Sequence, residues 1–380
     1  MTTSETVEAL YVHIPFCRSL CGYCDFYSII PPQDLVSPLV DALLLELEQY
    51  QRQLKLNLKT VFIGGGTPTS MPVAELQRLI AAIRRLPVAG ESLEFTVEAN
   101  PATVSDEMAT MLAEQSVNRA SIGAQSFQPN ELAVLERIHG PDEIRETVDR
   151  CRNHGIEQIS LDLIFAIPGQ SSVAWQNNLR AALNINPDHL SCYSLTYERG
   201  TRLYDSLMSG TIERVDPDLD ASMYDTAIEI LTEAGYEHYE ISNFARPGRH
   251  CRHNLTYWRN EPYLGIGPAA AGYLNCVRYK NLENVKGYIN RIRAGQSPRD
   301  EEELRNLEGQ MRDTAMLSLR TMDGLDRRLF IQRFETDPAA FFQRAIELNL
   351  SRGLIELSDN HIRLTTAGIF LADRVIADFL

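Results

Sequence analysis

The sequence predicts an α/β chain: a partial (βα)6 barrel of the TIM type followed by a small winged-helix-like α+β domain. Three observations predict it. Short β-rich runs alternate with amphipathic helical stretches through residues 1–235, which is the pattern of βα units on a parallel sheet. The units number six, too few to close an eight-fold barrel. From about Met311 the pattern changes to helices, a hairpin and a last helix, and 380 residues suffice for one large and one small domain.

The β-rich runs are 9–14, 60–63, 93–98, 119–123, 158–165 and 189–195. Helical stretches at 39–53, 72–85, 106–115, 141–154 and 173–183 lie between them. Ligands of such sheets bind at the C-terminal ends of the strands. The polar motifs follow that rule. A cysteine loop follows the first run, Gly64-Gly65-Gly66-Thr67 follows the second, Glu98 ends the third, Gln125 follows the fourth and Asp162 lies within the fifth. Residues 236–307 read as a connecting region, within which 296–307 is a charged surface connection. Residues 308–380 form the C-terminal domain, with a hairpin around 354–364 and a helix from Thr366.

Winged-helix folds often bind DNA, but this chain has 36 basic and 51 acidic residues, a net charge of −15. Nucleic-acid affinity comes largely from neutralising phosphates, so no nucleic-acid partner is expected. Charge also gives no attraction to an anionic membrane. No apolar run reaches the roughly 18 residues of a membrane span. The first five residues lack a basic start and apolar stretch, so a cytoplasmic location is expected. Of seven cysteines, three are clustered and four scattered, which is no disulfide framework.

The three clustered cysteines are Cys17, Cys21 and Cys24, spaced C-x3-C-x2-C. Three thiolates from one loop can hold three corners of a [4Fe–4S] cube and leave one iron open, whereas electron-transfer clusters are closed by a fourth cysteine. A structural zinc would want a fourth nearby ligand. His13 is near in sequence but lies in a strand-like run and is expected to point away. The glycine run is no P-loop, because no Gly-Lys-Ser/Thr follows. Glycines let the backbone approach a ligand closely, so this run reads as a cradle.

The cysteine spacing, with Tyr23 just before the last cysteine, resembles the radical S-adenosylmethionine (SAM) superfamily. The resemblance implies that the open iron chelates SAM, and that an electron from the reduced cluster cleaves it to a 5′-deoxyadenosyl radical. Val61-Phe62-Ile63-Gly64-Gly65-Gly66-Thr67-Pro68-Thr69 further resembles the glycine motif of the oxygen-independent coproporphyrinogen oxidase branch. By that resemblance Tyr11, Glu98, Gln125, Arg137 and Asp162 match SAM-site residues of the branch, and Gly65, Gly66 and Thr67 hold the amino-acid end of SAM. A carboxylate in a buried strand is otherwise costly, so Glu98 and Asp162 have a physical reason to face a cationic ligand.

Two kinds of protein share this branch: dehydrogenases that oxidatively decarboxylate coproporphyrinogen, and HemW-type heme chaperones. The dehydrogenases carry a further cysteine two places after the third, where this chain has Phe26, and a long extension before the cluster. His253-Asn254-Leu255-Thr256-Tyr257-Trp258 fits the H-N-x-x-Y-W pattern of the HemW type. That resemblance implies heme as a third cofactor and acceptor haemoproteins and an electron donor as partners. It also implies delivery near a membrane with peripheral association. His253 is the expected axial ligand, with Cys251 and His250 adjacent and Tyr257 and Trp258 against the macrocycle. The alternative is that His253 and Asn254 only fix this loop and Trp258 is core.

Overall fold

The computed structural model describes residues 5–90 and 92–380; residues 1–4, on which the reading of the N-terminus rested, lie outside the described residues. The barrel elements are β1 (Thr6–Ile14), α1 (Gln33–Gln53), β2 (Lys55–Gly65), α2 (Val73–Ile83), β3 (Glu94–Ala99), α3 (Asp106–Glu114), β4 (Arg119–Gln125), α4 (Pro129–Val134), α5 (Pro141–Asn153), β5 (Gln158–Phe165), α6 (Ser172–Ile185) and β6 (His189–Ser194). Strands β1 to β6 are neighbours in chain order and pair in parallel.

Side chains alternate across each strand. Val61, Ile63, Phe95, Val97, Ile122 and Leu161 are buried in the main apolar core. The alternate positions carry Thr60, Thr96, Ser121, Ser160, Asp162 and His189, so the bore is polar. Helix ends follow their local chemistry. Ser171 caps α6 by accepting from the Ala174 amide (3.2 Å). Helix α5 opens on Pro141 with Asp142 and Glu143 and closes on Arg150 and Arg152, matching its dipole.

Beyond β6 come α7 (Arg202–Met208), α8 (Pro217–Glu233), β7 (Glu237–Glu240), β8 (Asn243–Ala245), α9 (Arg252–Trp258), β9 (Leu264–Ile266), β10 (Ala271–Leu274), β11 (Val277–Asn281), α10 (Val285–Arg293) and β12 (Arg299–Leu304). The sheet therefore runs past residue 235. Strand β8 pairs antiparallel with β6, β7 pairs with β8, and β9 pairs in parallel with β1. The order is β7-β8-β6-β5-β4-β3-β2-β1-β9, with β7 and β9 at opposite edges of an open barrel.

The stretch 296–307 is not merely a surface connection. It contains β12, paired antiparallel to β11 in a second sheet. Its Arg-Asp-Glu-Glu-Glu-Leu sequence lacks apolar alternation, and ladder bonds plus exposed ion pairs (Arg291–Asp300, 3.2 Å; Arg299–Glu302, 2.7 Å) hold it. The β9–α10 segment is locked to α1 by buried Glu46, which accepts from the Gly267 amide (2.9 Å), Asn281 Nδ2 (3.1 Å) and the Tyr288 hydroxyl. Burial pushes the Glu46 carboxyl up to about 7.

The C-terminal domain holds α11 (Leu307–Ser318), β13 (Leu325–Asp326), α12 (Arg327–Phe334), α13 (Pro338–Phe341), α14 (Gln343–Ser351), β14 (Ile355–Leu357), β15 (His361–Leu364), α15 (Thr366–Ile369) and α16 (Ala372–Ala377). Its sheet has the order β13-β15-β14, and β14–β15 is the expected hairpin. It has its own core around Phe330, Phe342, Ile362 and Phe379. Backbone bonds tie it to the barrel's edge: Ile241 N–H to Arg320 C=O and Met322 N–H to Tyr239 C=O, both 3.0 Å.

Candidate cofactor site at the mouth of the barrel

The cysteine loop leaves the C-terminal end of β1 and is clasped at its base. The Cys17 amide donates to Ile29 C=O (3.0 Å) and the Ile29 amide to Pro15 C=O (2.7 Å). From below, the Leu203 amide donates to Gly22 C=O (2.8 Å) and Arg202 to Leu20 C=O (2.7 Å). A Cβ on Gly22 would lie 2.9 Å from the carboxyl of Glu136, whose flexible side chain packs against the loop. Cys17, Cys21 and Cys24 are half-buried free thiols on one pocket of about 400 Å³, within the ~300–1,000 Å³ range of small-molecule sites.

The pocket brings together most of the residues expected from the sequence. Tyr23, Gly65, Gly66, Thr67, Glu98, Gln125, Arg137 and Asp162 line it with the three cysteines. Arg137 donates to Cys21 Sγ (3.3 Å) and to Gly123 C=O (3.0 Å), and its buried Nε has no partner. Thr67 Oγ1 lies 3.6 Å from Cys17 Sγ. Gln125 ends β4 with φ +64, a strained left-handed conformation, and lines the pocket.

Glu98 accepts from the Gly65 amide (3.0 Å), and Asp162 accepts from Ser121 Oγ (3.3 Å). Burial, and next the charge of Asp162, push the Glu98 carboxyl up to about 8; burial also raises Asp162. Arg119 lowers both groups without offsetting their burial, so a cationic ligand would find two raised carboxyls at one pocket wall. Burial likewise pushes the Cys24 thiol up to about 11, so a thiolate there needs a metal to hold it. Among the described residues no three Cys, His, Asp or Glu side chains converge tightly enough for a single ion. The three thiols line one pocket, and a cluster of several irons would take all three. On these grounds the residues present fit a cluster and a cationic ligand.

The glycine run differs from expectation in what makes it necessary. A Cβ on Gly64 would lie 2.7 Å from the Glu98 carboxyl carbon, one on Gly65 2.6 Å from His13, and one on Gly66 2.7 Å from Phe16 C=O. Protein atoms, rather than a ligand, occupy the Cβ side of all three. Gly65 also has φ +107, which favours glycine.

A model of the Radical SAM superfamily matches residues 11–180, and a model of the HemN C-terminal domain matches 306–371. The chain is 35% identical over 377 residues to the heme chaperone HemW of Bacillus subtilis, covering 98% of this chain and 99% of that protein. It is 34% identical over 373 residues to the heme chaperone HemW of Lactococcus lactis, covering 98% and 97%. The chain belongs to the HemW family of the radical SAM superfamily. The solved structure of coproporphyrinogen III oxidase (HemN) from Escherichia coli, a radical SAM enzyme, superposes with a TM-score of 0.85 at 22% identity, covering 99% of this chain and 90% of that one. At that identity the likeness shows the shared fold. Membership of the radical SAM superfamily implies a [4Fe–4S] cluster and SAM.

Tyr11 lies in the bore, where its hydroxyl meets His13 Nδ1 (3.0 Å). One expectation for this HemW-family chain needs correction on geometry. His253 is fully buried, with Nδ1 bonded to Thr60 Oγ1 and Nε2 to the Tyr257 hydroxyl, both 2.8 Å. Neither nitrogen is free for a heme iron in this arrangement. Cys251 is also fully buried. His250 is half-buried, pairs with Glu237 (2.7 Å) and stacks on Tyr239. Trp258 lies outside the pocket beneath Arg320 (5.1 Å), and His13 turns into the bore, where its Nε2 meets Tyr27 C=O (3.1 Å). The reading of the sequence missed the pocket's outer wall, made by Phe26, Ile164, Tyr193 and Leu195. Tyr193 had a signal, because it ends the sixth strand just as Glu98 ends the third.

Proposed function

We propose that this chain is a heme chaperone: it binds heme on a radical SAM scaffold and passes it to acceptor haemoproteins. The observation that carries this reading is full-length similarity to proteins named heme chaperone HemW, over both domains. In this reading Cys17, Cys21 and Cys24 ligate the cluster. Gly65, Gly66, Thr67 and Glu98 hold the amino-acid and ribose end of SAM, and Gln125, Arg137 and Asp162 orient the rest. A reduced cluster with SAM bound supplies one-electron cleavage of the sulfonium, so an electron donor is a further partner. Heme would find aromatic surface at the outer wall, where exposed Phe26 and Tyr193 stand next to apolar Ile164 and Leu195. Phe26 occupies the place of the extra cysteine of the dehydrogenases, which favours the chaperone over that enzyme. No helix among the described residues is long and apolar enough to cross a membrane.

The deciding experiment is anaerobic. The reconstituted protein is titrated with heme, offered an apo-haemoprotein, and separately incubated with coproporphyrinogen, SAM and reductant. A Soret band, transfer to the acceptor and no protoporphyrinogen are expected. Conversion of coproporphyrinogen without heme binding would replace this reading with the dehydrogenase.

SAM binding is expected to depend on pH. Glu98 is protonated below about 8, held there by burial and by Asp162. A cationic ligand favours the carboxylate, so binding expels a proton. Affinity then rises as pH climbs from about 6 to 8, by at most about tenfold per unit, and levels off above. Calorimetry across this range checks it, and Glu98→Gln should flatten the profile. A flat wild-type profile would exclude a Glu98 proton from the binding equilibrium.

A further inference from the structure

The H-N-x-x-Y-W segment marks this chain yet lies outside the pocket. Helix α9, which carries it, plugs the bore of the barrel from the far end. Glu94, at the start of β3, accepts from the backbone amides of Arg252 and His253, both at 2.9 Å. The His253 ring then enters the bore, where Thr60 and Tyr257 engage both its nitrogens. Burial pushes this imidazole down to about 3, so it is neutral and serves as one donor and one acceptor.

Above it stands a column of rings. His253 stacks on Phe62 with centroids 5.3 Å apart and planes 29° apart. Phe62 meets Tyr11 at 6.2 Å, and the Tyr11 hydroxyl meets His13 Nδ1 at 3.0 Å. The His13 ring lies directly beneath Gly65, as the 2.6 Å approach of a built Cβ records. Gly65 in turn donates its amide to Glu98. Four rings on inward positions of α9, β2 and β1 thus connect the motif to the glycine cradle. The end rings His253 and His13 are buried while Phe62 and Tyr11 are partly buried, so transmission along the column rests on the direct ring-to-ring contacts rather than on a filled core.

We infer that His253 is a positioning residue for SAM: its ring sets the height of Phe62 and, through Tyr11 and His13, the backbone of Gly65. The inference rests on the proposed SAM site. It gives the motif a role other than heme ligation. To reach an iron, His253 would have to leave the bore and strand the hydroxyls of Thr60 and Tyr257 without partners.

The test uses the full-length, cluster-reconstituted protein and SAM, titrated by calorimetry well below the unfolding transition. His253→Ala and Phe62→Leu are each expected to weaken SAM binding roughly fivefold or more, about the effect of one lost hydrogen bond. The double variant should be little worse than either single one, because both interrupt one column. The cluster's spin-resonance signal and the position of the heme Soret band should stay as in the wild type. If His253→Ala does not fold, Phe62→Leu and Thr60→Val carry the same measurement. Folded variants with lower Tm but wild-type SAM affinity would reduce the column to a stability element and overturn the inference. A shifted Soret band with unchanged SAM affinity would make His253 the heme ligand instead. A wild type that binds no SAM would overturn the cofactor reading itself, which is a different failure.

Discussion

Alanine at Cys17, Cys21 or Cys24 is expected to abolish the iron–sulfur signal completely. Three thiolates are already the minimum that holds a cube with one open iron, so no single one is dispensable. No other cysteine can substitute. Cys151 is buried on α5, Cys192 on β6 and Cys251 just before α9, while Cys276 occupies a left-handed turn (φ +62) between β10 and β11. Alanine at any of these four should leave the cluster in place. Iron content and spin resonance of the reconstituted, reduced protein read the result. A cluster that survives loss of Cys17, Cys21 or Cys24, or that disappears with one of the other four, would break the three-ligand assignment.

The second large effect is expected in the glycine run, where the structure separates two outcomes that the sequence pattern merges. As a cradle, Gly66 reads as a position where valine would block SAM and spare the cluster. In the fold, a Cβ on Gly66 meets the backbone of Phe16 (2.7 Å to its C=O), the residue before Cys17. Backbone cannot swing aside, so Gly66→Val should cost the cluster and SAM together. Gly64→Ala should separate them. The nearest atoms its Cβ meets are those of the Glu98 carboxyl, at 2.7 Å, which must turn away and give up its bond to the Gly65 amide. Losing one charge-assisted bond of about 1.5–3 kcal/mol weakens SAM by roughly ten- to a hundredfold. Calorimetry alongside spin resonance should show the cluster intact and SAM affinity reduced. Full SAM affinity in Gly64→Ala would remove Glu98 from the site.

What the sequence by itself determined is what is written in local periodicity and in costly residues. Six β-rich runs spaced by amphipathic stretches specify βα units, because each run offers an apolar face that a neighbouring helix can cover. Three thiols within eight residues, and the carboxylates Glu98 and Asp162 in strands that must be buried, mark a candidate site, since their desolvation must be repaid by a ligand, a metal or, as at Glu46, by hydrogen bonds from the protein. What only the tertiary structure decided has no local signal. Strands β7, β8 and β9 are three or four residues long, too short to show a period of two, and exist because β6 and β1 offer free edges to pair with. Strand β12 is an acidic run that a neighbour's ladder makes into a strand. His253 has the composition of a surface ligand. It becomes a buried ring in the bore because Glu94, Thr60 and Phe62, about 160 to 190 residues away along the chain, supply the hydrogen bonds and the stacking face that no neighbour in sequence could.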